Sequence, residues 1–441
     1  MNMQHDSLEK KRFLQNTFKL TQHNTDIKTE IMAGITTFMT MAYIIIVNPL
    51  IMGETGMDQG AIFTATCLSA AVATLIMAFL ANYPFVLAPG MGLNAFFAYT
   101  VVLGMGYSWE FALTAVFIEG IIFIILTFFN IREAIINVMP MNIKNAVSVG
   151  IGLFIAFIGL ANAGIVVANP ATKVSLGDMG NPIALVAIIG LIITGILLAK
   201  NVKGALLIGI IATTIIGVPF GVTSMPTGFV SAPPSLAPIA FKLDFKNIFS
   251  MDMLVIMFTF LFVDLFDTLG TLVGVASKAD MLDKDGKLPK AKQALFADAV
   301  GTTFGALMGT STVTTYVESA SGVAVGGRTG LTAFTSGVLF LLALLFSPII
   351  RIIPAAATAP ALILVGLFMM SPIKKIDLDD FTEAIPAFLT IIMMPLAYSI
   401  AEGITFGILA YVFLKMLTGR TKELSIPMYI LAILFILKFA M

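Results

Sequence analysis

Charge is what this chain has least of. Asp, Glu, Lys and Arg make up 11% of its 441 residues, against about 25% in a soluble domain. With 58% hydrophobic residues and a mean hydropathy of +0.99, that scarcity describes a polytopic membrane protein with little mass outside the bilayer. The formal net charge is zero, which removes the basic face a nucleic-acid partner needs. The single cysteine, Cys67, sits in an apolar run, so neither a disulfide framework nor a cysteine zinc site is available. Both histidines, His5 and His23, fall in the polar leader 1–30 and read as solvated; no metal and no cofactor is expected. The leader shows no apolar h-region or small-residue cleavage pattern before Ile31, so no removal is expected. Gly90-Met91-Gly92 lacks the third glycine, the preceding strand and the distal acid of a dinucleotide fingerprint.

What is abundant is apolar sequence at membrane length. Runs recur at roughly 31–51, 61–80, 84–103, 109–129, 134–163, 182–199 and 203–220. After a Pro- and Ser-rich connector, 221–251, a second set follows at 252–276, 290–308, 311–326, 330–350, 355–371, 382–400 and 402–418. The expected fold class is an all-α polytopic membrane protein of about fourteen transmembrane segments. The last run, 426–440 within the C-terminal segment 420–441, is short of the ~20 residues a spanning helix needs, and its placement stays open.

Positive charge orients the chain. With the N-terminus inside, the leader, Arg132, Lys144, Lys200, Lys203, the 278–292 loop, Arg328, Lys374, Lys375, Lys415, Arg420 and Lys422 gather on the cytoplasmic side. Lys173, Lys242, Lys246 and Arg351 fall outside. A plasma-membrane protein with a cytoplasmic N-terminus is expected. The halves 31–220 and 252–419 are also alike: VMPMNIKNAVSVGIGLF (138–154) and IIPAAATAPALILVGLF (352–368) share an early proline and a closing Gly-Leu-Phe. An odd number of spans per half makes the second copy enter from the opposite face. Inverted repeats of that kind usually build transporters with a site near mid-membrane.

The candidate chemistry lies in two stretches. FTFLFVDLFDTLGTLVGVA (258–276) carries Asp264, Asp267, Thr268 and Thr271 at i, i+3, i+4 and i+7, one face of a helix. Carboxylates at bilayer depth are costly and usually face a bundle interior or a wet cavity. GTSTVTTYVESASGVAVGG (309–327) places Glu318 after a run too β-branched and polar for regular helix. YPFVLAPGMGLNAFFAYT (83–100) is broken in the corresponding place by Pro84, Pro89, Gly90 and Gly92. Non-helical backbone survives at membrane depth only inside protein or around a cavity. Each half is therefore expected to supply an extended piece and then a half-helix, with Asn94 and Glu318 near the two starts. A structural alternative has the acids capping broken helices.

Other residues carry blander readings. Trp109 reads as an interfacial anchor, Glu110 as a rim residue, and Glu402 and Arg351 as lying near the outer rim. Glu119 reads as a hydrogen bond to a neighbouring helix, with a second-tier proton role as the alternative. Phe96, Phe97 and Phe266 read as packing before ligand stacking. No Lys or Arg lies in either stretch before Arg328, so an anion is disfavoured there and a neutral solute rich in N–H donors, or a cation, fits better. Carboxylate acceptors with an asparagine that both donates and accepts match the edge of a heterocyclic base. Neighbouring buried acids also suit proton-coupled transport. An intramembrane aspartyl hydrolase would take its two aspartates from different helices to share a water, whereas Asp264 and Asp267 share one.

GITTFMTMAYIIIVNP (34–49), APGMGLNAFFAYT (88–100), FVDLFDTLGTL (262–272) and GTSTVTTYVESASGVAVGGRTGLTA (309–333) together resemble the nucleobase–ascorbate transporter superfamily, in particular its AzgA-like hypoxanthine, guanine and adenine permease branch. The resemblance implies a seven-plus-seven inverted repeat with short strands in spans 3 and 10. It implies a core domain of 31–129 plus 252–350 and a gate domain of 132–220 plus 355–419 that carries a homodimer contact. It further implies a transporter, not an enzyme, importing hypoxanthine or guanine by alternating access, with a proton, or alternatively sodium, as co-transported ion. Adenine is the alternative base, and an anion on the same fold the alternative class. Glu318, Asp264, Asp267, Asn94, Thr315 and Gly92 would hold the substrate, with Asp264, Asp267 and Glu318 as proton-coupling candidates. Asp267 and Thr271 stand where uracil and xanthine permeases have glutamate and histidine, so a relay role does not transfer to Thr271.

Overall fold

Apolar runs punctuated by Asp, Ser, Asn and Pro become helices capped by those residues. A computed structural model describes residues 14–129, 140–225, 228–246, 248–279, 281–283, 288–350 and 352–440. His5, Arg132 and Arg351 lie outside the described residues, as does the start of the 134–163 run, and of Phe266 only the backbone is described. The first half contains α1 (Ile27–Met41), α2 (Ile44–Gly53), α3 (Gln59–Ile76), β1 (Leu87–Pro89), α4 (Met91–Ala95), α5 (Trp109–Phe128), α6 (Met141–Asn162), β2 (Val166–Asn169), β3 (Lys173–Leu176), α7 (Pro182–Ala199) and α8 (Ala205–Gly217). The second contains α9 (Met251–Lys278), α10 (Ala291–Met308), β4 (Val313–Thr315), α11 (Ser319–Val325), α12 (Gly330–Ala343), α13 (Ala355–Met369), α14 (Phe381–Leu396), α15 (Ile400–Leu417) and α16 (Ile426–Ala440).

Side-chain capping fixes seven of the starts. Side-chain oxygens of Asp26, Asp58, Ser108, Asn181, Thr329, Asp380 and Ser399 accept from the first free backbone N–H groups of α1, α3, α5, α7, α12, α14 and α15. Among the described residues, 8 helices are long and apolar enough to cross a membrane, and Met91–Gly104, Ala205–Gly217 and Phe381–Leu396 are shorter apolar helices. The connection between the 134–163 and 182–199 runs forms an antiparallel hairpin in which Val166 pairs with Leu176 and Asn169 with Lys173. The run 426–440 is helical, about 22 Å long at 1.5 Å per residue, and buries Met428, Leu431, Ala432 and Phe435 beside α15.

Helix packing comes in reciprocal sets. The α1–α12 contact is matched by α9–α5, α3–α12 by α10–α5, α13–α7 by α6–α14, and α8–α13 by α15–α6. Three contacts are their own counterparts: α3 on α10, β1 on β4, and α6 on α13. In the last of these, the two glycines that the Gly-Leu-Phe alignment equates touch each other. A Cβ on Gly152 would stand 2.5 Å from the carbonyl oxygen of Gly366, and one on Gly366 would collide with the carbonyl of Gly152. Equivalent residues meeting face to face mark the position of a two-fold relation between segments.

At one end of the bundle a fully buried carboxylate ties α1 to α12. Glu30 accepts from the backbone N–H of Arg328 (2.8 Å), Thr329 (3.3 Å) and Thr332 (3.2 Å) and from the Thr332 hydroxyl (2.6 Å). A carboxylate at a helix N-terminus is favoured by the dipole and by the unpaired N–H groups there.

Candidate functional site

The site is built around a two-stranded ribbon in the middle of the bundle. Val313, Thr314 and Thr315 are β-branched and favour extended backbone, and Pro89 with Gly90 interrupts helix on the other side. The strands pair antiparallel with Leu87 opposite Thr315, Ala88 opposite Thr314 and Pro89 opposite Val313. Flanking bonds from Gly90 N–H to the Thr312 carbonyl and from Tyr316 N–H to the Val86 carbonyl, each 3.0 Å, extend the ladder.

A ribbon this short leaves outward-facing backbone groups, which are expensive at membrane depth unless satisfied. One threonine serves each outer edge. The Thr74 hydroxyl of α3 accepts from Leu87 N–H at 3.0 Å and donates to the Leu87 carbonyl at 3.1 Å. The Thr302 hydroxyl of α10 accepts from Val313 N–H at 3.2 Å and donates to the Val313 carbonyl at 2.9 Å. Leu87 and Val313 are the matching first residues of the two strands, so the solution is the same on both sides.

Each strand leads into a short helix. Asn94 falls in α4, which continues as wider-wound helix through Phe96–Gly104, and Glu318 occupies the N-cap position of α11. Gly90 and Gly92 permit close approach: a Cβ on Gly90 would lie 2.6 Å from Thr314 Cγ2, and one on Gly92 2.8 Å from Ile151 Cγ2. The Gly92 contact brings α6 against the start of α4.

The α9 face carries the expected polar set. Asp264 and Thr268 are fully buried, whereas Asp267 and Thr271 are half-buried. The Thr268 hydroxyl lies 3.0 Å from Asp264 Oδ1, 2.9 Å from Asp298 Oδ1 and 2.7 Å from the Thr314 hydroxyl. A hydroxyl has one proton to donate and two lone pairs. It cannot donate fully to both carboxylates, so three full hydrogen bonds require one of the two acids to hold a proton. Asp298, on α10, is the member that sequence reasoning missed. It was visible as a lone acid in an otherwise apolar run, the same signal that singled out Asp264.

Glu318 is half-buried, and its Oε1 accepts from the Tyr43 hydroxyl at 2.8 Å. Asp267 lies within electrostatic range of both Asp298 and Glu318. Asn94 is fully buried; its Oδ1 accepts from the Ser311 hydroxyl while its Nδ2 has no hydrogen-bond partner. The Thr315 hydroxyl, 2% exposed, likewise has none. The structure therefore gathers Asp264, Asp267, Thr315, Glu318, Asn94 and Gly92 around the ribbon, with two unsatisfied polar atoms among them.

Other candidates fall into packing roles. Glu119 Oε2 accepts from the Thr312 hydroxyl at 2.7 Å, so this buried acid steadies the chain just before β4. Phe96 is fully buried edge-on to Phe260 with ring centroids 4.7 Å apart, and Phe97 is fully buried in the same cluster. Trp109 is partly buried against that cluster at the start of α5. Among the described residues, no group of three or more His, Cys, Asp or Glu stands where it could hold a metal ion.

Comparison with known proteins agrees with this architecture. The model of the Permease family, Xan_ur_permease, matches residues 28–435. The chain is 47% identical over 437 residues to the guanine/hypoxanthine permease PbuG of Bacillus subtilis (strain 168), covering 97% of this chain and 99% of that one. It is 45% identical over 425 residues to the adenine permease AdeP of Escherichia coli (strain K12), covering 96% and 95%. Among solved structures, the transmembrane domain of a cyanobacterium bicarbonate transporter, BicA, superposes with a TM-score of 0.64 over 85% of this chain and 97% of that chain. At 16% identity that likeness concerns the fold alone. A family match over most of the chain, relatives above 40% identity along nearly its whole length, and a mostly helical multi-pass structure lead to one conclusion: this chain belongs to the Permease family and is a membrane transporter, not an enzyme.

Proposed function

We propose that the protein is a proton-coupled purine nucleobase importer, favouring hypoxanthine and guanine, that works by alternating access at the β1–β4 ribbon. The observation that carries this reading is the pairing of a half-buried Glu318 carboxyl with an unsatisfied buried amide donor on Asn94 and an unsatisfied hydroxyl on Thr315. A purine presents N–H donors beside bare ring nitrogens or a carbonyl, and such a site complements both. The relatives named for guanine/hypoxanthine and for adenine support the purine class. The acidic lining disfavours an anion, even though a bicarbonate transporter shares the fold.

Proton coupling is supported by the Asp264–Thr268–Asp298 bridge: with a proton on one of the two acids, every contact of the Thr268 hydroxyl becomes a full hydrogen bond. Thr314, on the ribbon itself, contacts the same hydroxyl, so substrate arrival at the ribbon and proton occupancy of the pair are one contact apart. In this reading the chain is a seven-plus-seven inverted repeat with its N-terminus cytoplasmic in the cell membrane. The reciprocal helix packing supports the repeat, and the distribution of Lys and Arg supports the orientation. The core domain, 31–129 plus 252–350, carries the ribbon and the acids. The gate domain, 132–220 plus 355–419, includes α7, whose exposed Ile183, Ile192 and Ile196 offer an apolar face for lipid or for a second copy in a homodimer.

The test is uptake of labelled hypoxanthine by cells lacking their own purine permeases. Unlabelled guanine should block uptake more strongly than adenine, and an uncoupler should abolish accumulation. Blockade by adenine alone would reassign the base, and no uptake of any base with the protein in the membrane would refute the purine reading.

A further inference from the structure

We infer that Tyr43 is a positioning residue for substrate recognition: its hydroxyl fixes Glu318 so that one carboxylate oxygen, Oε2, is presented to the ligand. This rests on the reading that Glu318 binds the base. Glu318 stands at the N-cap of α11, yet its side chain makes no capping hydrogen bond to that helix. A half-buried glutamate held only by a contact to its own backbone N–H would still sample more than one rotamer. The second tether comes from elsewhere in the chain, from the Tyr43 hydroxyl at 2.8 Å.

Tyr43 is suited to hold a fixed point. It is 1% exposed, and an aromatic side chain has only two rotatable bonds. It stands at the junction of α1 and α2, where Ala42 and Tyr43 keep right-handed helical backbone, and its hydroxyl reaches Glu318 at the start of α11. The helix that leads into it, α1, packs on α11 through further contacts. The Thr40 hydroxyl lies 2.9 Å from the Ser321 hydroxyl, and α1 runs so close to α11 that a Cβ on Gly322 would stand 2.8 Å from the Ala33 carbonyl oxygen. The orientation of Glu318 is therefore set jointly by Tyr43 and by its own backbone N–H.

This has a chemical consequence. A free carboxylate can swivel to offer both oxygens to two adjacent N–H groups. With Oε1 already accepting from Tyr43, the site presents Oε2 as the principal acceptor, and the remaining edge of the base must be read by Asn94 and the ribbon. Tyr43 thereby bears on discrimination between purines as well as on affinity.

The experiment compares Tyr43→Phe and Glu318→Gln with wild type for hypoxanthine KM and Vmax, for the ratio of adenine to hypoxanthine inhibition constants, and for the melting temperature of the purified protein. Phenylalanine keeps the ring and its packing. Loss of a hydrogen bond to a charged group predicts a KM about tenfold higher, an altered inhibition ratio, and an unchanged Vmax and melting temperature. A wild-type KM and ratio in Tyr43→Phe, alongside an inactive Glu318→Gln, would overturn the inference while leaving the substrate site intact. A fall in Vmax and melting temperature together, with KM unchanged, would assign Tyr43 to structure only and also overturn it. Normal uptake by Glu318→Gln would remove the reading on which the inference stands.

Discussion

Glu318→Gln leaves a folded protein in the membrane that no longer transports. Glutamine has nearly the shape of glutamate, and its carbonyl oxygen still accepts from the Tyr43 hydroxyl, so the 2.8 Å contact survives. In the proposed site, what disappears is the charge and the one acceptor left for the base, Oε2, which is replaced by an amide donor facing an N–H of the base. A hydrogen bond to a charged group contributes about 1.5–3 kcal/mol, and setting donor against donor removes it and leaves both unsatisfied. The expected loss of Vmax/KM is at least about a hundredfold. Initial uptake rates normalised to protein in the membrane, with size-exclusion chromatography of the detergent-solubilised variant, measure both halves of the statement. Uptake at the wild-type rate would take Glu318 out of the site.

Gly152→Leu has the opposite character, with little left to assay for transport. The Cβ of any larger residue would stand 2.5 Å from the Gly366 carbonyl oxygen and 2.9 Å from Met369 Cβ, and the first of these is backbone in a helix that cannot yield locally. Ordinary overpacking costs about 1–3 kcal/mol, and a leucine driven into a helix–helix crossing at this distance exceeds that range. In a membrane such crossings are held chiefly by close packing at small residues, so the variant should give little monodisperse protein. Gly195→Leu is the matched control, because a Cβ there meets nothing within 4 Å. Equal yields from the two variants would contradict the close α6–α13 crossing.

Part of this arrangement is legible in the sequence because it rests on local rules. Asp264 and Thr268 are four residues apart on one helix, and their side chains meet at 3.0 Å as the spacing requires. The breaks at 83–100 and 311–325 follow from proline, glycine and β-branched residues, whose backbone preferences do not depend on partners. The two Gly-Leu-Phe segments were visible as text, although that their glycines touch was not.

What the sequence hides depends on partners distant in the chain. Asp298 is thirty residues from Thr268, and nothing in the 290–308 run says which face meets α9. Tyr43 lies in TMAYIIIV, where a tyrosine is indistinguishable from core packing until Glu318, 275 residues away, is placed beside it. Glu30 looks like an interfacial acid at the start of a span, yet its four donors come from residues about 300 positions later. The outer edges of the ribbon rely on Thr74 and Thr302, two threonines among many.

In the proposed function, an acidic, proton-sharing core moves a purine base across the bilayer. Purified protein in sealed vesicles tests it most directly, with labelled hypoxanthine outside and an imposed pH gradient, acid outside. Accumulation of the base above its external concentration, lost on adding a protonophore and absent when the gradient is reversed, is the predicted result. Equilibration of the base to equal concentrations regardless of the gradient, or no movement of the base at all, would contradict it.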